Sequence, residues 1–153
     1  MPVFIELAEQ LSQMGLLGLF LTALLAATLL PFGSEAVFVS LLVNGFGYAN
    51  VIIVASIGNV LGSVINYGIG LWASDAVAHK WLRMTDADLQ KARHRFDKYG
   101  LVALCFAWVP IIGDPITVVA GMLRIRFGWF VVLVALGKTT RYAVLAYLTY
   151  VAA

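Results

Sequence analysis

The chain has 153 residues, of which 62% are hydrophobic and 12% charged, and its mean hydropathy is +0.95. Soluble domains carry about a quarter of their residues as charges, so water is not the main solvent of this chain. Its formal charge of +2 is small and its basic residues gather in one loop rather than over a face, which excludes nucleic acid as a partner.

The first fourteen residues hold Glu6 and Glu9 and no Lys or Arg, so no cleaved signal peptide is expected. Residues 3–14 mix apolar and polar positions at helical spacing, which predicts a short helix on the membrane surface. The apolar run from Gly15 to Val43 is interrupted at Leu30-Pro31-Phe32-Gly33-Ser34-Glu35, where Pro31 removes a backbone donor, Gly33 permits a sharp change of direction and Ser34 offers an N-cap. The arm from Leu16 to Leu30 would reach about 22 Å at 1.5 Å per residue, short of a hydrocarbon core about 30 Å thick. A re-entrant helical hairpin is therefore predicted rather than a span.

Asn50–Trp72 is long and apolar enough to cross. Along it Gly58, Gly62, Asn66 and Gly70 recur every four residues, a stripe of small residues whose default use is close helix packing and which also allows a homodimer. The next segment, Ala73–Gly100, carries six basic residues and is predicted to be a cytoplasmic connector with a helix starting at Thr85. Leu89, Ala92, Phe96 and Tyr99 share one face of that helix, and Lys91, Arg95 and Lys98 another. This suits either an amphipathic helix on anionic headgroups or a solvated connector. His79 and His94 fall here without Cys or a partner set and are expected to be surface residues.

Leu101–Met122 repeats the broken arrangement, with Pro110, Gly113, Asp114 and Pro115 dividing it into a second hairpin. Cys105 lies within it and is expected to be a small buried hydrophobe. The last run, Phe127–Val151, spans if Lys138 and Arg141 are tolerated. Pro31 and Pro110, Glu35 and Asp114, and Gly58 and Gly137 are each 79 positions apart, which points to a duplication. A hairpin returns to its own side and a span crosses, so the second repeat must start from the opposite side. The fold expected is an all-α polytopic membrane protein, a single domain of two inverted repeats, about 16–72 and 101–151, with the linker 73–100 and its amphipathic helix between them. Each repeat would be a re-entrant hairpin followed by a transmembrane helix, the plan of secondary transporters. The rival topology makes all four runs into spans. Only the hairpin arrangement puts both basic loops, Ala73–Gly100 and Met122–Gly128, on the cytoplasmic side and leaves both termini outside.

Ionisable groups within a bilayer are costly and face cavities or one another. Four such groups sum to zero here: Glu35, Asp114, Lys138 and Arg141. If a pseudo-twofold axis brings the hairpin tips together, two acids and two bases share one site. They would serve either as ion pairs fixing helix register or as a functional centre. In the second case Lys138 and Arg141 suit an anionic headgroup, Arg141 by its planar fork, and a carboxyl held out of water makes Glu35 or Asp114 a candidate proton carrier. Asn59 and Ser63, which correspond by the 79-residue offset to Lys138 and Tyr142, either line the site or bond to a neighbouring helix. No hydrolytic centre, metal cluster or cofactor motif is present, so an enzyme is not expected.

The ordered set Leu30-Pro31-Phe32-Gly33-Ser34-Glu35, Gly58-Asn59-Val60-Leu61-Gly62, Trp108-Val109-Pro110 with Gly113-Asp114, Ala120-Gly121, and Gly137-Lys138 with Arg141-Tyr142 resembles the DedA (VTT-domain) superfamily, in its small YqaA-like branch, over residues 16–145. The resemblance implies a protein of the bacterial inner membrane that moves phospholipid or polyprenyl phosphate with dependence on the proton gradient. It assigns Glu35 to the family's acid after the first hairpin proline. The two arginines that flank the second hairpin proline in the family are Ala107 and Gly113 here, and the acid of the first span is Ser63. Lys138 and Arg141 would supply the positive charge from the next helix. The expected function is a transporter or flippase for an anionic lipid or polyprenyl phosphate, with a small-solute or ion transporter and a non-transporting scaffold as the alternatives.

Overall fold

A computed structural model describes residues 13–28, 33–80, 85–109 and 112–152, and every regular element among these is helical. The elements are α1 (Leu16–Thr28), α2 (Gly33–Val43), α3 (Tyr48–Lys80), α4 (Asp86–Leu104), α5 (Gly113–Met122) and α6 (Phe127–Ala152). The surface helix expected over residues 3–14, and the proline breaks at Pro31 and Pro110, lie outside the described residues save for Gln13 and Met14.

Two stretches of 26 residues, Tyr48–Ala73 and Phe127–Ala152, are long and apolar enough to cross a membrane. At 1.5 Å per residue each reaches about 39 Å, whereas α1, α2 and α5 reach only about 15–20 Å. Only 39% and 22% of their most apolar stretches are buried inside the protein, where a soluble core helix would be mostly enclosed. On α3 the outward positions Ile53, Ile57, Leu61, Ile65 and Ile69 recur every four residues, while Ser56, Asn59, Ser63 and Asn66 face inward and are buried. An apolar exterior around a polar interior is stable when the surroundings are hydrocarbon.

The 79-residue spacing recurs in the helix boundaries. α2 ends at Val43 and α5 at Met122; α3 starts at Tyr48 and α6 at Phe127. Both hairpins close with the same C-terminal motif, in which Gly45 (φ +85°) and Arg124 (φ +54°) take the left-handed conformation. Phe46 N–H donates to Leu41 O and Gly45 N–H to Leu42 O, both at 3.1 Å; Ile125 N–H donates to Ala120 O at 3.1 Å and Arg124 N–H to Gly121 O at 3.0 Å.

Three expectations change. α3 continues to Lys80, and α4 runs without interruption from Asp86 to Leu104, so most of the connector is helical and the first arm of the second hairpin continues the connector helix. No proline or glycine interrupts residues 73–80, and the single Gly100 costs a helix only about 1 kcal/mol. Cys105 sits in the turn after α4 and is exposed, as a lipid-compatible side chain can be in a membrane protein. α2 begins at Gly33, so Ser34 lies inside its first turn rather than ahead of it.

The chain divides into two compact units. The first comprises residues up to Gly62 together with Lys138–Ala153, so it holds the first hairpin, the start of α3 and the end of α6. Its core gathers Leu19, Ala23, Phe38, Leu41, Val51 and Tyr142. Gly58 and Gly62 press against α1, where added Cβ atoms would meet Phe20 O, and Leu24 O with Ala27 Cβ, respectively. The second unit, Ser63–Gly137, holds the rest of α3, α4, the second hairpin and the start of α6, around Tyr67, Leu104, Ala107, Phe130 and Val134. Here Gly70 and Gly121 permit backbone contact between α3 and α5, and Tyr67 OH donates to Ile125 O at 2.5 Å. The expected small-residue stripe is therefore used for packing within the chain at Gly58, Gly62 and Gly70.

Candidate functional site

In the first unit α3 and α6 run antiparallel. Tyr48 packs edge-on against Tyr150 with ring centroids 6.1 Å apart, and eleven residues further along α3 Asn59 reaches back to Lys138 and Tyr142. The first turn of α2 delivers Ser34 and Glu35 to the same face of α6, because helix positions three and four apart align and Lys138, Arg141 and Tyr142 share that spacing.

Two charged contacts result. The Arg141 guanidinium donates to Glu35 Oε1 in an ion pair, with 17% of the arginine side chain and 35% of the glutamate side chain accessible. The Lys138 ammonium donates to Asn59 Oδ1, and Lys138 is 2% exposed. Tyr142 connects the two halves: its fully buried hydroxyl accepts from Asn59 Nδ2 at 2.9 Å and lies 3.2 Å from Ser34 Oγ, while its ring stacks on Phe38 at 5.1 Å. A lysine amine, an amide, a phenol and a serine hydroxyl thus form one chain of polar contacts with an ion pair one helical residue away.

Of the residues expected from sequence, Glu35 meets Arg141 and Lys138 meets Asn59. Asp114 and Ser63 belong to the second unit. Ser63 is fully buried there, and the Asp114 backbone carbonyl accepts from Thr117 Oγ1 at 2.6 Å. Thr117 Oγ1 also accepts from Asn66 Nδ2 at 3.3 Å. Gly113 and Ala107 pack against one another: a Cβ on Gly113 would run into the Ala107 backbone, and both positions are buried. The Ala107 backbone occupies the space that a side chain at Gly113 would need. Ser34 and Tyr142 were not singled out from sequence as site residues. The available signal was their position, each adjacent to a charged member of the set. Among the described residues no group of His, Cys, Asp and Glu could hold a metal. His94 is exposed.

Residues 30–151 match the VTT domain. The chain belongs to the VTT-domain family. It is 35% identical to the inner membrane protein YqaA of Escherichia coli strain K12 over 134 residues, which cover 87% of this chain and 89% of that protein, and the same figures hold for YqaA of Shigella flexneri. An uncharacterized protein of Haemophilus influenzae is 33% identical over 139 residues, covering 86% and 85% of the two chains. No solved structure matches. As a VTT-domain protein of the DedA group, the chain is a membrane protein, and its two long apolar helices are suited to that setting.

Proposed function

We propose that this VTT-domain protein is a transporter or flippase of the bacterial inner membrane for an anionic lipid or polyprenyl phosphate. Arg141 and Lys138 hold the headgroup, assisted by Asn59 and Ser63, and Glu35 and Asp114 couple movement to protons. The observation that carries the proposal is the placement of Glu35, Arg141, Lys138, Asn59 and Tyr142 in one polar cluster behind helices whose outer faces are apolar. Retaining such a cluster inside hydrocarbon costs about 3 kcal/mol per ionised group on insertion scales, which favours a working site over decoration.

The architecture that suits this role is a pair of inverted repeats with re-entrant hairpins. Three features support it. The hairpin helices α1, α2 and α5 are too short to cross, and each compact unit contains one hairpin, the start of the long helix that follows it and the end of the other long helix. The third is that Lys138 and Asn59 are 79 positions apart and bond to one another. A residue that touches its own repeat equivalent sits where a twofold axis relating the repeats would pass, and the antiparallel course of α3 and α6 there is the course an inverted repeat requires. The excess of Lys and Arg in residues 73–100 and 122–128 supports a cytoplasmic side for both segments and the opposite side for both termini.

The mechanism follows from the ion pair. While Glu35 is ionised it holds Arg141 and no anion can claim the guanidinium fork. A proton arriving on Glu35 leaves Arg141 free to grip a phosphate through two N–H groups, with the buried Lys138 ammonium adding charge. Release of the headgroup lets Glu35 return its proton and re-form the pair. Asp114, the repeat equivalent of Glu35, performs the corresponding step in the second repeat. Arg141 is unmatched in this respect, since its own repeat equivalent is Gly62.

Reconstitution of the full chain in proteoliposomes tests the proposal. Fluorescent phosphatidylglycerol should flip faster than phosphatidylcholine and faster still under a pH gradient. Glu35→Gln should abolish the gradient dependence, and Arg141→Gln the flip itself. Flip unchanged by Glu35→Gln, Asp114→Asn and Lys138→Ala would remove the proposal. Phosphate or ion flux in place of lipid flip would identify a solute transporter, and lost thermal stability without any flux a scaffold.

A further inference from the structure

α4 is one helix from Asp86 to Leu104, and its two ends lie in different surroundings. At the C-terminal end Leu104 is fully buried in one cluster with Ala107 and Ala120, and α4 packs against α5 as the first arm of the second hairpin. Nearer the N-terminal end Lys91, His94 and Lys98 are exposed. Their spacing of three and four residues puts them on one stripe of the helix. Val102, four residues beyond Lys98, continues that stripe and is 60% exposed.

The chemistry of the exposed side therefore changes along α4. Among the described side chains the exposed ones are polar or small up to Lys98, and from Tyr99 onward they include Val102 and Phe106. Lys98 Nζ lies 5.5 Å from the centroid of the exposed Tyr99 ring. A cation beside an amphipathic ring suits the level where hydrocarbon gives way to headgroups. The turn between α5 and α6 has the same order: Arg124 and Arg126 are exposed, and the exposed Phe127 and Trp129 follow as α6 begins. Both transitions lie at the open end of one hairpin. An exposed valine on a membrane hairpin faces hydrocarbon, so the stripe that Val102 belongs to carries Lys98, His94 and Lys91 out over the neighbouring lipid.

We infer that Lys91 and Lys98 dock on the anionic headgroups of the leaflet that the second hairpin enters, and that anionic lipid collects there in preference to zwitterionic lipid. Charge complementarity names the occupant, since no carboxylate lies on this stripe among the described side chains of α4. Lys91 stands about 10 Å along the helix from Lys98, close to one Debye length at 0.1 M salt, and its flexible stem reaches back toward the surface. The surface belongs to the second unit and shares no residue with the Glu35–Arg141 and Lys138–Asn59 contacts. The lipid it holds is a neighbour of the protein and not its cargo, so the surface stands whether or not the transport reading does.

A fluorophore on the stripe itself tests this. Cys105 is the sole cysteine, so His94→Cys in a Cys105→Ser background labels one position of the full chain. The labelled protein is reconstituted in phosphatidylcholine nanodiscs with a trace of spin-labelled lipid. Quenching by phosphatidylglycerol is compared with quenching by phosphatidylcholine that carries the same nitroxide near its headgroup. A lysine close to an anionic surface contributes about fivefold in affinity, so phosphatidylglycerol should be enriched beside the label by about fivefold or more. Lys91→Gln combined with Lys98→Gln, both at exposed positions, should remove the enrichment. Salt at about 1 M, which shortens the screening length to about 3 Å, should remove it without any substitution of the lysines. Equal quenching by the two lipids, or enrichment that survives either the double substitution or the salt, would overturn the inference. Quenching by neither lipid would overturn it as well and leave the stripe to an acidic segment of another protein.

Discussion

Replacing glycines along α3 with alanine separates helix propensity from packing on a single element. Gly68 faces open space, with nothing within 4 Å of an added Cβ. Gly68→Ala therefore gains the intrinsic helix preference alone, about 1 kcal/mol. Gly62→Ala gains the same preference, but its Cβ would collide with both the Leu24 carbonyl oxygen and the Ala27 Cβ of α1. Neither neighbour is the end of a flexible side chain, so α1 must move, and overpacking of this kind costs about 1–3 kcal/mol. The difference between the two variants is then that overpacking cost. At about 2–4 °C per kcal/mol for a chain of this size, Gly68→Ala should raise the unfolding temperature by a few degrees and Gly62→Ala should fall clearly below it. Thermal unfolding of the purified protein, followed by circular dichroism in one detergent, reads both. A Gly62→Ala protein as stable as Gly68→Ala would refute the close approach of α1 to α3 and with it the packing that positions the first hairpin.

Three further outcomes follow from particular contacts. Tyr142→Phe keeps the stack on Phe38 but removes the hydroxyl shared by Asn59 and Ser34, and it should lower stability by about 1–3 kcal/mol in chemical or thermal unfolding. Arg124→Gly relieves a left-handed backbone at a non-glycine residue and should stabilise by about 1 kcal/mol, measured by the same unfolding assay. Gly113→Arg, which places a cation beside the second hairpin break, should reduce the yield of folded protein in size-exclusion chromatography, because the Ala107 backbone occupies the space the side chain would need.

Features that depend on local chemistry and composition could be read from the residues alone. Apolar length identified the two long membrane helices, and the rarity of charged letters in hydrocarbon singled out Glu35, Asp114, Lys138 and Arg141 as candidates. The 79-residue offset was legible because a proline, an acid and a glycine stand out against an apolar background, and the same spacing governs where α2 and α5 end and where α3 and α6 begin. The helix expected from Thr85 is α4, which begins at Asp86; helix continuity across residues 73–80 and past Gly100 was less legible, since charge density and a glycine suggest breaks while backbone propensity favours helix. Which side chains become partners depends on how the helices pack. Glu35 finds Arg141 from 106 positions away, and Lys138 reaches Asn59 across 79. Ser34 and Tyr142 join the cluster, and the buried Ser56 hydroxyl has no hydrogen-bond partner among the described residues. Those choices follow from the register in which α3 crosses α6. The glycines of α3 let α1 and α5 approach its backbone closely, and no local pattern of charges encodes how the helices then pack.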